Sequence, residues 1–326
     1  MTRILFKHFP LPSLLFLSLS SFGQDVSHAG TVKAGIYITS IHDIDFRKQE
    51  YSIDFWLWLK YSKRDSGFNF RKNLELPQAK SAEMLFDSVN TDNLNDSLFV
   101  WMKLQCVMKD SWGILAFPFD RQNLRFSIEN SQYDSDSLVF VADTVGQKMF
   151  DSLFTLRGWH IDSCRMMTRT TTYQTSFGDT PVEPSKYSSL RVKMVIRRHA
   201  SGLFLKIFIG MYIAFVIAFI CFFIPEESTE ARYNLSVGAL FAVVGNKYII
   251  DSSLPETNSF TMVDWLHSLT LIFIVFAIAV TIYSSRFIKN DLDRARKFDR
   301  KAAWIGLTIY VVLNFAVVFT LKVLGN

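Results

Sequence analysis

Between Trp265 and Ser285 the chain has no charged residue, and between Ala302 and Leu321 it again has none. Leu203–Pro225 carries a single one, Lys206. Each stretch approaches the roughly 20 apolar residues that cross a hydrocarbon core about 30 Å thick. A weaker run, Tyr233–Ile250, holds Asn234, Ser236, two glycines and Lys247, with Arg232 and Asp251 as brackets. Lying among spans, it reads as a fourth crossing, the least apolar of the set. The expected spans are therefore about 203–225, 232–252, 262–285 and 302–323, a four-helix transmembrane bundle occupying 201–326.

The N-terminus is a different kind of apolar segment. Arg3, Lys7 and His8 precede the apolar run Phe9–Phe22, and Ser21-Phe22-Gly23 has the small-x-small pattern of a signal-peptidase site. Two prolines and four serines within that run argue against a fifth helix. Residues 1–24 are read as a signal peptide, which puts residues 25–200 outside the cytoplasm. The loops give an independent orientation. Arg286–Lys301 holds seven Lys or Arg against three Asp, whereas Ser252–Val263 holds no basic residue. Basic residues favour the cytoplasmic side of short loops, so 286–301 is expected to be a short cytoplasmic linker.

Residues 25–200 show the period-2 alternation of half-buried strands. Tyr51, Ile53, Phe55, Leu57, Leu59 and Tyr61 share one face, with Ser52, Asp54 and Lys60 on the other. Leu124, Phe126 and Ile128 alternate in the same way, as do Leu190, Val192, Met194 and Ile196. Val32–Ile41 and Leu138–Ala142 are shorter β-rich runs, and turn clusters occur at Lys63–Gly67, Asn90–Ser97, Tyr133–Ser137 and Gly178–Ser185. The fold expected is an extracellular or periplasmic all-β, immunoglobulin-like sandwich followed by the helical bundle.

Several function classes lose ground on composition. The net charge of +5, from 35 basic and 30 acidic residues, is spread along the chain. No basic patch with interleaved aromatics suggests nucleic acid. The histidines are scattered, without metal-ligand spacing, and there is no nucleophile elbow or phosphate loop. No enzyme, metal or cofactor is expected. Cys106, Cys164 and Cys221 do not form a disulfide framework, and whether Cys106 and Cys164 pair stays open.

Phe117-Pro118-Phe119-Asp120-Arg121-Gln122 lies between two strand patterns, ahead of the first span. Arg197-Arg198 precedes that span, Pro225 ends it and Arg232 opens the second; Leu254-Pro255 and Asp264 follow. In this order, within an external β domain joined to four spans, these features resemble the pentameric ligand-gated ion channels, the Cys-loop receptor family. The short connection between the third and fourth spans is similar to that of bacterial members, which implies a bacterial inner (cell) membrane location. There are departures. The positions of the loop's half-cystines fall on Asp110 and Leu124, so the disulfide is absent. Tyr61-Ser62-Lys63 replaces the family's Trp-x-Asp pattern, and Leu74-Glu75-Leu76-Pro77 stands where Trp-x-Pro is expected.

The resemblance implies a homopentamer, each chain partnered by four identical subunits, with the second span lining the pore. On a helical wheel Glu230, Asn234, Gly238, Phe241, Gly245, Tyr248 and Ser252 fall near one line. Glu230 would concentrate permeant cations at the inner mouth, Asn234 would offer its amide to a partly dehydrated ion, and Phe241 would close by dewetting. Helix packing is the other reading of this stripe, since glycines commonly line helix contacts in membranes. Lys247, placed i,i+4 from Asp251 and near Asp264, reads either as a plain ion pair or as a gating contact.

For coupling, the resemblance implies that Asp43 and Asp45 of the 43–47 loop, with Phe117, Pro118, Phe119 and Asp120, press on the 252–260 connection containing Pro255. Asp120 is expected to pair with Arg198. For ligand binding it points to Trp56, Tyr133 and Tyr187, with Ser131 where the family's central tryptophan stands. Trp56 and Tyr133 read equally well as ordinary sandwich aromatics. The agonist, a small molecule or an ion, stays open. The expected function is a cation-preferring ligand-gated ion channel in contact with membrane lipid. A non-conducting receptor of the same architecture and a membrane-anchored periplasmic enzyme are the alternatives.

Overall fold

The computed structural model describes residues 29–144, 148–151, 153–179, 183–225, 227–286 and 292–324. The expected signal peptide, Glu226 and residues 287–291 of the basic linker lie outside the described residues.

Strands β1 (Gly30–Asp45), β2 (Glu50–Ser62), β3 (Leu74–Glu75), β4 (Ala79–Asp92), β5 (Ser97–Lys109), β6 (Arg121–Asn130), β7 (Leu138–Ala142), β8 (Trp159–Tyr173) and β9 (Ser185–Arg198) make up the first part, with one helical turn, α1 (Phe70–Asn73). They form a five-stranded sheet in the order β4-β5-β2-β1-β7 and a four-stranded sheet in the order β3-β6-β9-β8. Only β7 runs parallel to its neighbour, β1. The alternation read in β2 is realised residue by residue: Tyr51, Ile53, Phe55, Leu57 and Leu59 are buried, and the intervening side chains are not. Leu124, Phe126 and Ile128 of β6 and Leu190, Val192, Met194 and Ile196 of β9 join them in one core between the sheets. Cys106 on β5 and Cys164 on β8 are free thiols on different sheets.

The base of the loop between β5 and β6 is closed without sulfur. The Arg125 guanidinium donates to both carboxylate oxygens of Asp110, at 2.6 and 3.2 Å, and the Arg125 backbone N–H donates to Asp110 at 3.0 Å. An ion pair therefore stands at Asp110 and beside Leu124, the two positions that the resemblance aligns with the family's half-cystines.

Four helices follow: α2 (Ala200–Ile220), α3 (Thr229–Asp251), α4 (Met262–Ser285) and α5 (Leu292–Leu324). Among the described residues three segments are long and apolar enough to cross a membrane: Ala200–Phe223, Met262–Ser285 and Leu292–Val323. The expectation of a fourth such segment is not met by α3, because Glu230, Arg232, Asn234, Lys247 and Asp251 dilute it. It packs between α2 and α4 nonetheless. Gly210 of α2 permits that approach, since a Cβ there would lie 3.2 Å from the Asn246 amide of α3.

The last helix also differs from expectation. It starts at Leu292 rather than near 302, absorbing residues 292–301, the greater part of the expected linker. The run LDRARKFDRK consists mostly of good helix formers, and Asp299 within it is fully buried. At about 1.5 Å per residue, 33 residues span roughly 50 Å. The helix therefore extends well beyond any apolar layer.

Candidate functional site

The five α3 residues that pack inward are Arg232, Ser236, Ala239, Val243 and Ile250. At 100° per residue they occupy one side of the helix. Glu230, Asn234, Gly238, Phe241, Gly245, Tyr248 and Ser252 lie on the opposite side, and every one is exposed. Phe241 and Tyr248 are 68% and 75% exposed, unusual for aromatic rings. A Cβ added at Gly238 or Gly245 would meet nothing within 4 Å. Neither glycine serves packing within the chain. Apolar Val237, Val244, Leu235 and Ile249 flank the stripe and are also exposed.

Arg232 anchors the opposite side. Its guanidinium donates to Asp299 of α5 at 2.5 Å and to the carbonyl of Ile224, an extended residue just beyond α2. Both side chains of the ion pair are buried, at 2% and 0% exposure. At the other end of α3, Lys247 reaches Asp251 at 2.6 Å and Asp264 of α4 at 2.7 Å. Asp264 also accepts from Thr261 in a capping box that starts α4. The buried His267 ring lies 2.9 Å from the Asn246 amide oxygen, a second tie between α3 and α4.

The sheets and the helices meet at Arg198, the last residue of β9. Asp120 accepts from its Nε at 2.9 Å and, more weakly, from the second guanidinium nitrogen at 3.4 Å. Three rings surround the cation: Trp159 at 4.1 Å, Phe46 at 4.4 Å and Phe117 at 5.0 Å. Gln122 fixes Asp120 by donating to it and to the Gly113 carbonyl, both at 2.7 Å. The rest of the loop enters the helical bundle. Phe117 is buried among the helices with Phe208 and Met262, and Phe119 packs on Phe204 at 5.4 Å. The Met262 N–H donates to the Leu115 carbonyl at 2.9 Å. Pro255 is buried beside Ile114, Leu254 and Thr261.

Asp45 takes no part in this junction. It caps its own turn, accepting the Lys48 N–H at 3.0 Å and pairing with the Lys48 ammonium at 3.2 Å. The Lys48 backbone N–H is the main reason its carboxyl sits below the usual aspartate value. Its neighbour Phe46 is the residue that reaches Arg198. Phe46, Trp112 and Trp159 carry no motif; only strand topology brings them together.

The four candidate ligand residues separate into two groups. Ser131 and Tyr187 line a cleft of about 620 Å³, together with Glu75, Pro77, Glu129, Tyr173 and Phe177. Tyr133 is outside it: its hydroxyl donates to the Gly67 carbonyl at 3.1 Å, and its ring packs edge-on to Phe68 at 4.9 Å. Trp56 is on the other sheet, packed with Trp101 and Phe86. Both are half-buried and packed on other rings of the same chain.

The cleft contains groups that sequence reasoning missed. Tyr173, Phe177 and Tyr187 form an edge-to-face cluster, with centroids 5.6 to 6.4 Å apart. Tyr173 ends β8 and Tyr187 lies on β9, while Phe177 precedes Gly178, whose φ of +94° is a left-handed conformation that favours glycine. Glu129 accepts from the Thr171 hydroxyl at 3.0 Å and the Tyr173 hydroxyl at 2.9 Å. Burial, helped by nearby Glu75, raises the Glu129 carboxyl above its ordinary value despite those hydrogen bonds. Two carboxyl groups beside three aromatic rings make a cleft suited to positive charge.

No protein-family model matches the chain. It is 22% identical over 333 aligned residues to the proton-gated ion channel of Gloeobacter violaceus. That similarity covers 94% of this chain and 89% of the relative, so it takes in the strands, the junction and the helices alike.

Proposed function

We propose that the chain is the subunit of a homopentameric, cation-preferring ligand-gated ion channel, with α3 of each copy lining the pore. The observation that carries this reading is the α3 stripe. Alone among the four long helices of the described residues, α3 lacks a membrane-length apolar stretch, and it leaves one continuous row of polar, small and aromatic residues exposed, opposite its packed side. Five copies around an axis would turn that row into stacked rings, and Val237, Val244, Leu235 and Ile249 would meet the neighbouring copies. Glu230 at one end favours cations by charge. The whole-length similarity to an ion channel supports the same reading.

In this account residues 25–200 are periplasmic after loss of a signal peptide, α3 is the fourth crossing, and the basic segment before α5 is cytoplasmic, in a bacterial inner membrane. An agonist bearing positive charge occupies the cleft at Glu75, Glu129, Tyr173 and Tyr187, and a neighbouring copy brings its Trp56 face to the same interface. Closure there acts through Asp120, Arg198 and the signature loop on Pro255 and the start of α4. A second reading rests on Glu129, whose raised carboxyl makes the proton itself a candidate agonist, as the relative's description has it.

The test is cation flux from purified protein in liposomes, with mass measured in mild detergent. A pentamer that conducts on addition of amines or acid supports the proposal. A stable monomer counts against channel and receptor alike.

A further inference from the structure

The outward face of the β6-β9-β8 sheet carries basic residues in direct cross-strand register. Arg121 pairs with Arg197 and Arg197 with His160; further along the strands, Arg125 pairs with Lys193 and Lys193 with Arg165. Adjacent strands lie about 4.8 Å apart, and like charges facing each other across them are destabilising. The first row is relieved by a carboxylate of the chain. Asp162 lies 3.4 Å from Arg121, 3.3 Å from Arg197 and 4.0 Å from His160.

The second row has no such group at its centre. Asp110 is taken up by Arg125 at one end; among the described residues no carboxylate pairs with Lys193 or Arg165, and Arg191 meets Glu129 only through the Thr171 hydroxyl that they share. A concavity of about 400 Å³ lies there; its polar lining is Gln78, Asp110, Arg125, Ser127, Arg191 and Lys193, and Phe126, Met167 and Val192 complete it. Its donors are held in place from behind. Asp110 fixes the Arg125 guanidinium, while Thr171 and Ser189 accept from that of Arg191 at 3.1 and 3.4 Å. Gln78 turns its carbonyl oxygen to Ser127, at 2.7 and 2.9 Å, leaving its amide hydrogens for another acceptor. Two oriented guanidinium groups, an amide and a free ammonium match a tetrahedral oxyanion, which accepts several charge-assisted hydrogen bonds at once.

We propose that this concavity is a binding site for a soluble, multivalent, phosphate-type oxyanion, which takes the place that Asp162 fills in the first row. The source is a free anion rather than a headgroup of the protein's own membrane. Lys193 lies seven residues before α2, about 23 Å along an extended strand.

The experiment is calorimetric titration of inorganic pyrophosphate into the full chain in neutral-lipid nanodiscs, at ionic strength held constant with chloride. Saturable binding is expected. It weakens about tenfold or more in Lys193→Gln and in Arg191→Gln, as loss of a charge-assisted contact implies, and persists in Arg197→Gln. Lys193→Glu supplies the missing carboxylate; it is expected to raise Tm and abolish binding. Binding that is equal in all variants, or that chloride reproduces, overturns the site. A requirement for anionic lipid in the disc, with no response to free pyrophosphate, overturns the soluble source.

Discussion

Arg198 places its guanidinium 2.9 Å from Asp120 inside a cage of Phe46, Phe117 and Trp159, and the two side chains are 12% and 3% exposed. The pair is formed where the last strand becomes the first helix, by a loop whose tip is buried in the helical bundle. An ion pair with so little solvent is held by geometry as much as by charge. In the function proposed above, movement of the sheets relative to the helices is transmitted through it together with the Phe119–Phe204 and Leu115–Met262 contacts. Asp120→Ala is expected to assemble as wild type by size exclusion and to lose ligand-evoked current. Normal activation of that variant would remove the pair from the coupling route.

Glu129 sets an acid dependence whose sign is fixed. Its carboxyl titrates above the ordinary value of 4.5 in the folded protein because burial disfavours the charged form. The neutral form therefore contributes stability that is complete below about 4.5 and lost as pH rises through the folded value. Thermal unfolding followed from pH 7 down to 4.5 should show a gain in wild type that is smaller in Glu129→Gln. Parallel curves for the two proteins would show that this carboxyl does not titrate differently on folding.

Arg232 and Asp299 tie α3 to α5 in a buried pair, with one Asp299 oxygen accepting no hydrogen bond among the described residues. Removing one charge strands the other, a loss of about 3–5 kcal/mol. Arg232→Met is expected to lower Tm in detergent sharply, and Arg232→Met with Asp299→Leu to recover much of the loss. Equal Tm for the single variant and wild type would show that the pair is neutral.

Phe241 is the bulkiest apolar residue of the exposed α3 stripe, at its middle. A ring of such side chains holds water out of a narrow passage. Phe241→Ser is expected to leak cations without agonist in liposome flux, because a polar ring stays wet. A tight, agonist-dependent variant would move the gate elsewhere along α3.

Much of this was legible in the chain because burial has a period. Tyr51–Tyr61 alternates and is a strand; Trp265–Ser285 is uncharged and is a helix. The strands β4 and β8 escaped notice because most of their side chains are exposed on both faces, so no alternation marks them. The start of α5 escaped because a charged run reads as a loop until a partner such as Arg232 buries one of its members. At the sites, residues close in sequence were easier to find than residues joined by topology. The Lys247–Asp251 pair follows from helical spacing. Glu129 beside Tyr173, or Phe46 beside Trp159 and Arg198, follows only from strand order. Tyr133 and Trp56 read equally as ligand aromatics and as sandwich aromatics, and within one chain each packs on neighbouring rings, Tyr133 on Phe68 and Trp56 on Trp101 and Phe86.

The central claim is that the exposed α3 stripe lines a cation pore, and reversal potential under a potassium chloride gradient tests it most directly. Wild type is expected to reverse near the potassium equilibrium potential, and Glu230→Gln to shift toward chloride. A reversal potential near zero in wild type, or one unchanged by Glu230→Gln, would contradict the assignment.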